Sequence, residues 1–154
     1  MIRSVIAGLI HGSSVAFDTG AGRAGVLITG KPGAGKSELA LELISMGAVL
    51  VSDDQTQLRR YADSVILSAP PRIRGVIEMR GIGLLRADTV ESAPLVVLVD
   101  LDTPETERLP ERHWHELEGC RIPVLRKCAS RAFAAAIRQY VIAGVWQQSE
   151  GRPK

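Results

Sequence analysis

Short apolar runs separated by glycine, proline or polar pairs make up most of the chain, and only two segments have the spacing of an amphipathic helix. The first of them covers residues 37–46 and stops at Gly47. It follows a glycine-rich turn over residues 30–35 and lies between the compact apolar runs 25–29 and 48–51. This order predicts a strand, a loop, a helix and a second strand.

Strand patterns dominate the remainder of the chain. Segment 2–17 predicts two short strands joined by a turn, and segment 56–85 predicts short antiparallel strands with proline and glycine turns. The run 95–99 is the most apolar of the protein and predicts a buried central strand. The charged segment 104–118 favours a helix or a loop with a helical turn, and segment 133–145 predicts a second helix. The fold class is therefore mixed α/β.

The composition is typical of one globular domain covering residues 1–154. Hydrophobic residues make up 45% of the chain and charged residues 23%, with a formal net charge of +2. A chain of this length buries enough surface to fold without disulfides or a structural metal. The charge balance favours neither nucleic acid nor an anionic membrane as a partner. No apolar stretch is long enough to span a bilayer and no secretory signal is evident, so a cytoplasmic protein is expected.

Two histidines and two cysteines lie close together in the C-terminal third. Cys120 and Cys128 match neither a zinc nor a thioredoxin spacing, and His113 and His115 add only irregular ligand separations. A zinc site is the less favoured interpretation. Reduced, buried, structural cysteines are expected instead.

A phosphate-binding loop is the strongest chemical signal. Residues 30–37 match the Walker A pattern G-x-x-x-x-G-K-[ST], with a predicted strand before it and a helix after it. Its backbone N–H groups can surround a phosphate, and the helix N-terminus adds partial positive charge. Lys36 is expected on the β- and γ-phosphates and the Ser37 hydroxyl on Mg²⁺. The expected nucleotide-binding residues are Gly30, Lys31, Pro32, Gly33, Ala34, Gly35, Lys36 and Ser37.

The phosphate loop alone does not distinguish a kinase from an NTPase switch or a sensor, so the acidic residues near it are informative. Two predicted strands end in such residues. Asp100 ends the apolar strand at 95–99, whereas Asp53 and Asp54 end the strand that follows the loop helix. Both strands can bring a carboxylate to the same edge of a parallel sheet. The Asp53–Asp54 pair is the sharper signal, because adjacent carboxylates repel and seldom serve stability alone. Solvated turn residues remain the alternative.

A second motif makes the prediction more specific. Residues 76–83, Val-Ile-Glu-Met-Arg-Gly-Ile-Gly, contain the four signature positions Glu78, Arg80, Gly81 and Gly83. Together with His11-Gly12, the phosphate loop and the Asp pair, this motif resembles the catalytic domain of the bacterial HPr kinase/phosphorylase family. The matching pieces cover most of residues 11–85 in the family's order.

The resemblance implies both a fold and a reaction. The fold is a phosphate-loop kinase domain of the type shared with phosphoenolpyruvate carboxykinases, with a mixed central sheet, a phosphate-loop helix and a C-terminal helix. The reaction transfers phosphate from ATP, with Mg²⁺, to a serine of the phosphocarrier protein HPr. It would place the protein in the phosphotransferase system and in the regulation of carbohydrate metabolism. A homo-oligomer, a hexamer by family resemblance, is the expected assembly.

The same resemblance implies roles for individual residues. Ser37 and Glu78 would hold Mg²⁺. Asp54 would accept the proton of the substrate serine, and His11 would orient and tune Asp54. Arg108 lies in a shorter match and would support the transferring group. Without the resemblance, His11 would be interpreted as a structural histidine, Glu78 as part of a cross-strand charge pair and Arg108 as an exposed helix charge.

The chain also departs from the family pattern. It begins ten residues before His11, so the family's N-terminal domain is expected to be absent. The loop expected between His11 and Gly30 is longer than the family's usual form, with residues 20–23 as the expected insertion. The family's Pro-Val-x-Pro-Gly-Arg-Asn-like stretch, associated with dephosphorylation, is replaced by residues 122–128. A kinase with weak or phosphate-dependent reverse phosphorolysis is therefore expected.

Two other functions remain open. A small-molecule kinase or nucleotidase would use the same loop but needs a concave pocket for its acceptor. A non-catalytic nucleotide sensor would keep Lys36 and Ser37 but has no use for Asp54 and Glu78. The presence of all four residues favours catalysis, and substitution of Asp53 is expected to be milder than substitution of Asp54.

Overall fold

A nine-stranded mixed sheet and two helices organise the computed structural model, which describes residues 5–6 and 8–145. In chain order the elements are β1 (Val5–Ile6), β2 (Leu9–Thr19), β3 (Gly22–Thr29), α1 (Lys36–Ser45), β4 (Val49–Ser52), β5 (Gln55–Tyr61), β6 (Ser64–Ser68), a 3₁₀ turn (Pro71–Ile73), β7 (Val76–Met79), β8 (Gly83–Arg86), β9 (Ser92–Pro104), β10 (His113–Leu117), β11 (Cys120–Lys127) and α2 (Phe133–Ala143). Strands β7 and β8 form a separate two-stranded hairpin.

Strand directions bring three chain segments to one edge of the large sheet. β9 pairs in parallel with β3 and with β11, and β2 pairs antiparallel with both β3 and β4. Strands β3, β4 and β9 therefore run in the same direction. The segments that follow β3 and β4, together with the last residues of β9, meet at the carboxyl edge, where open α/β sheets bind ligands.

The sheet is buried on both faces, which explains the strongly apolar strands. Along β3, Val26 and Ile28 pack with Leu43 and Ile137 of the two helices, whereas Leu27 points to the opposite apolar cluster. Alternate side chains of a strand point to opposite faces, so a run without polar breaks is what two buried faces require. Within the described residues, no helix is both long and apolar enough to cross a membrane.

Both predicted helices and the central strand are confirmed. α1 and α2 lie within one to two residues of the expected bounds at every end. β9 has pairing partners on both sides, and Val97, Leu98 and Val99 in its middle are fully buried. The middle third forms antiparallel strand pairs, β5 with β6 and β7 with β8, as the turn pattern predicted.

The N-terminal prediction is only partly correct. Residues 2–4 lie outside the described part of the chain; β1 and β2 pair antiparallel around a turn at Gly8, but β2 continues unbroken to Thr19. The polar positions Ser13 and Ser14 do not break the strand, because both hydroxyls are buried and hydrogen-bonded. Residues 20–23 contain the tight β2–β3 turn rather than a long loop, since Thr19 pairs with Gly22.

The expectations for residues 104–118 and for the cysteines need correction. Instead of a helix, this segment continues from β9 through an irregular stretch into β10, which pairs with β11. Cys120 is buried as expected, but Cys128 is exposed, because it follows β11 on the surface. Among the described residues, no group of three or more potential metal ligands is present, and His113 is paired with Glu105.

Candidate active site

The phosphate loop joins β3 to α1 and has the backbone that its glycines allow. Gly33 and Gly35 have φ values of 84° and 102°, a left-handed region that side chains disfavour. A Cβ atom on Gly30 would lie 2.9 Å from the Cβ of Ala34. The Lys36 ammonium donates hydrogen bonds to the backbone oxygens of Gly30, at 2.8 Å, and Lys31, at 3.2 Å. The charge therefore lies inside the curve of the loop.

Two aspartates of β9, Asp100 and Asp102, hold the start of this loop through hydrogen bonds. The backbone N–H of Lys31 donates to Asp102 Oδ1 at 2.9 Å, and the N–H of Asp102 donates to the buried Asp100 Oδ1 at 2.9 Å. Asp100, one of the two strand-end candidates, thus contacts the backbone that anchors the loop. The Ser37 hydroxyl contacts the other candidate, the Asp53–Asp54 pair.

Asp53 is the central acceptor of the site. Its Oδ1 accepts hydrogen bonds from the hydroxyls of Ser13 and Ser37, both at 2.7 Å, and its Oδ2 accepts one from the backbone N–H of Glu78 at 3.0 Å. The side chain is only 5% exposed. Three donors from β2, α1 and β7 compensate the burial of the carboxylate. Asp53 therefore joins the phosphate loop to the β7–β8 hairpin.

Asp54 has the opposite environment, being exposed and in a left-handed backbone conformation with φ of 68°. Aspartate and asparagine adopt this conformation more readily than other non-glycine residues, and backbone hydrogen bonds hold it here. The backbone oxygen of Asp54 accepts from Gly12 N–H at 2.9 Å, and its N–H lies 3.4 Å from Ser13 Oγ. Gly12 has no room for a side chain, because a Cβ would lie 2.7 Å from Ile28 O.

His11 lies near the start of β2, beside the strand that follows Asp54. It pairs in register with Gln55, the residue after Asp54, and its side chain is exposed. The predicted His11-Gly12 and Asp53–Asp54 motifs are therefore neighbours in space, although about forty residues separate them in the chain.

A cavity of about 360 Å³ is lined by residues of both the phosphate loop and the β7–β8 hairpin. Its lining residues are Pro32, Gly33, Gly35, Lys36, Ser37, Glu38, Asp54, Glu78, Met79 and Arg80. The hairpin is anchored by Ile77, which is buried, and turns through Gly81 and Gly83 with φ values of 91° and 128°. Of the predicted catalytic and metal-binding residues, Lys36, Ser37, Asp54 and Glu78 thus line one cavity, whereas His11 does not.

Arg108 lies in a different part of the surface. It is exposed in the segment between β9 and β10 and lines a groove beside α2 with Tyr140, not the cavity of the phosphate loop. Glu105 holds this segment, because it accepts from the N–H groups of Thr106 and Glu107 and pairs with His113 Nε2 at 2.8 Å. The Glu107 N–H and then His113 lower the pKa of Glu105.

Two residues of the site could not be singled out from the sequence. Asp53 was visible only as half of a pair, and nothing local shows that it, and not Asp54, points inward to Ser37. Ser13 was interpreted as a polar break in a strand. A polar residue inside an otherwise apolar strand is the one signal that could have drawn attention to it, since buried hydroxyls need partners.

Comparisons with known proteins agree with this geometry. A family model described as the HPr Serine kinase C-terminal domain matches residues 9–94. The HPr kinase/phosphorylase of Nitrosomonas europaea is 35% identical over 139 residues, which is 77% of this chain and 43% of that protein. The HPr kinase/phosphorylase of Aromatoleum aromaticum is 43% identical over 115 residues, 66% of this chain and 36% of that protein. The chain spans less than half the length of these curated relatives.

A solved structure gives the same result for the fold. The Hpr(Ser) kinase/phosphatase from Coxiella burnetii superposes with a TM-score of 0.73 at 28% sequence identity. The match covers 86% of this chain and 87% of that chain. The likeness therefore extends well beyond the phosphate loop.

Proposed function

The chain belongs to the HPr Serine kinase C-terminal domain family, and on that premise we propose that it transfers the γ-phosphoryl group of ATP to a serine of the phosphocarrier protein HPr. One observation carries the proposal: the buried Asp53 joins Ser37 of the phosphate loop to the Glu78 strand, beside the exposed Asp54. A nucleotide site, an oxygen-rich metal site and an accessible base are thereby brought together. Phosphoryl transfer requires these three parts.

An exposed acceptor site favours a protein substrate over a small molecule. Asp54, Glu78 and Arg80 are all exposed at the cavity, so a serine on the surface of a folded protein can approach them. A small-molecule kinase usually surrounds its acceptor to exclude water. A nucleotide sensor would have no use for an exposed carboxylate beside the phosphate loop, where Asp54 lies.

The donor atoms fit Mg²⁺. This ion prefers oxygen ligands, keeps several waters and is usually held by one or two carboxylates together with substrate phosphates. Ser37 and Glu78 would hold it, with Asp53 orienting the Ser37 hydroxyl through their 2.7 Å hydrogen bond. When bound, the ion supplies charge neutralisation between the β- and γ-phosphates.

Individual residues of this chain then have separate roles in the transfer reaction. Lys36 neutralises the β- and γ-phosphate oxygens, and the loop N–H groups hold the β-phosphate. The serine oxygen forms a bond to the γ-phosphorus while the bond from that phosphorus to the ADP oxygen breaks. Asp54 accepts the serine proton, and His11 stabilises the orientation of Asp54 from the neighbouring strand.

Several finer features remain predictions of the same proposal. The phosphoenolpyruvate-carboxykinase-like type of kinase domain stays a prediction from the family resemblance. Arg108 would act on the transferring group only if its segment moves toward the cavity or belongs to a neighbouring copy, which fits the predicted homo-oligomer. The cytoplasmic location predicted from the sequence is compatible with HPr as the partner.

A transfer assay separates the proposed function from its two alternatives. The protein is incubated with γ-labelled ATP and Mg²⁺, with HPr, with HPr whose acceptor serine is replaced by alanine, or with a pool of cell metabolites. Label in HPr but not in the alanine variant supports the proposal. Label only in small molecules supports a small-molecule kinase, and binding of ATP without any transfer supports a sensor.

Replacement of Asp53 tests the carboxylate that accepts hydrogen bonds from Ser13, Ser37 and Glu78. An asparagine at this position would offer an amide N–H₂ where one carboxylate oxygen now accepts, so either the Glu78 N–H or the two serine hydroxyls would face a donor. We expect Asp53→Asn to weaken Mg²⁺-dependent ATP binding by about 10–100-fold, the range typical of residues that orient metal ligands. Isothermal titration with and without Mg²⁺ measures this. Undiminished Mg²⁺ dependence would return Asp53 to the minor role predicted from the sequence.

The reverse reaction is expected to be weak. Dephosphorylation requires inorganic phosphate beside phosphoserine, and extra donors must stabilise the two anions. The segment that differs from the family's stretch forms most of β11. Beyond it, Arg131 lines a small cavity with Ala34 and Gly35 of the phosphate loop, and Asp54 does not line that cavity. Serine-phosphorylated HPr and millimolar phosphate should release pyrophosphate more slowly than the forward reaction consumes ATP. Equal rates would contradict this expectation.

A further inference from the structure

Two adjacent serines of β2 have equal burial but different surroundings. Ser13 and Ser14 are both fully buried. Because neighbouring side chains of a strand point to opposite faces, Ser13 shares its face with His11 and with the core beneath α1, whereas Ser14 points to the other face. The Ser14 hydroxyl lies 3.0 Å from the hydroxyl of Thr56, and neither serine lines the cavity itself.

The Ser13 hydroxyl contacts both acids of the pair. The Ser13 O–H donates a hydrogen bond to Asp53 Oδ1 at 2.7 Å, and its oxygen accepts one from the backbone N–H of Asp54 at 3.4 Å. The first contact adds a second donor to the oxygen that Ser37 also contacts. The second contact, with the Gly12–Asp54 hydrogen bond, holds the left-handed backbone of Asp54 from both sides.

We infer that Ser13 is a positioning residue for phosphoryl transfer, acting through Asp53 on the metal site and through the backbone of Asp54 on the base. The inference rests on the proposed function. A buried hydroxyl among apolar neighbours adds nothing to packing that an apolar side chain could not supply, and it must be hydrogen-bonded to be tolerated. Within the described part of the chain its hydroxyl bonds to the two acids, so its contribution is the fixed direction of both.

The two serines form a matched pair for the test. Ser13→Ala is expected to raise the Mg²⁺ concentration for half-maximal transfer by about tenfold and to lower kcat, while the affinity for ATP without Mg²⁺ stays unchanged. Ser13→Thr, which keeps a hydroxyl, is expected to restore both values. Ser14→Ala removes an equally buried hydroxyl from the same strand and is expected to change neither. Ser13→Cys gives a second variant of similar volume if Ser13→Ala does not fold.

A direct measurement of metal binding keeps this test independent of the acceptor. Mn²⁺ titrated into the protein with ATP and followed by electron paramagnetic resonance should bind about tenfold more weakly to Ser13→Ala than to the parent or to Ser14→Ala. Equal Mn²⁺ affinity in all three proteins, or an equal loss in both alanine variants, would overturn the inference. If the parent protein does not phosphorylate HPr, the proposed function fails, while the Mn²⁺ titration still decides the role of Ser13.

Discussion

Lys36→Ala should abolish phosphoryl transfer while leaving the fold intact. The Lys36 side chain is only partly buried and donates hydrogen bonds to two loop carbonyls, so its loss leaves no buried charge unpaired. The ammonium lies inside the phosphate loop, where the β- and γ-phosphates are expected to bind. Removing one preorganised electrostatic contact of this kind costs about 10²–10³-fold in rate, and we expect at least the upper end.

The measurement is kcat/KM for transfer to HPr, with the melting temperature recorded for both proteins. Lys36→Arg separates charge from shape, because a planar guanidinium retains the charge but does not reproduce a compact ammonium inside the loop. We expect the arginine variant to recover little activity. A Lys36→Ala protein with parental turnover would show that the phosphate loop is not the active site.

Asp54→Asn should stop transfer to serine but preserve nucleotide binding. Asparagine tolerates the left-handed backbone found at Asp54, so the substitution removes the base without forcing the chain to move. General-base catalysis contributes about 10²–10⁴-fold, and a loss in that range is expected in kcat. The affinity for ATP with Mg²⁺ should stay within about twofold, because Asp54 is not among the groups that bind Ser37 or the loop.

Asp63→Asn is the matched control for this prediction. Asp63 is also an exposed aspartate; it lies in the β5–β6 turn directly after Ala62, which has a φ of 53°, and it does not line the phosphate cavity. Its substitution should change neither transfer nor binding. If Asp54→Asn instead weakens Mg²⁺-dependent ATP binding and transfer by the same factor, Asp54 is a metal ligand and another group accepts the serine proton.

The contrast between the two adjacent acids shows where local sequence information ends. The phosphate loop was predictable, because its glycines, lysine and serine have their roles within eight consecutive residues. The Asp pair was also visible as chemistry. Which acid points inward depends on the left-handed turn at Asp54, and that turn is held by Gly12 and Ser13 from a distant strand. No pattern within residues 51–54 contains those contacts.

The error at residues 104–118 has a similar cause. The charge-rich composition favoured a helix or a loop with a helical turn, but the segment contains β10, which pairs with β11 and has Trp114 opposite Pro123. The guanidinium groups of Arg112 and Arg121 lie 4.8 and 4.1 Å from the centre of the Trp114 ring. Together with the strand pairing, these contacts outweigh the local helix propensity of the segment. By contrast, α1, α2 and β9 were predictable, because their apolar spacing alone defines which faces are buried.

The most direct test of the central claim is the intact mass of HPr after incubation with this protein, ATP and Mg²⁺. We predict an increase of about 80 Da, one phosphoryl group, that fragmentation assigns to a single serine and that is absent with the Lys36→Ala and Asp54→Asn variants. An unchanged mass of HPr, while the parent protein binds ATP and is folded, would contradict the claim that HPr is its substrate.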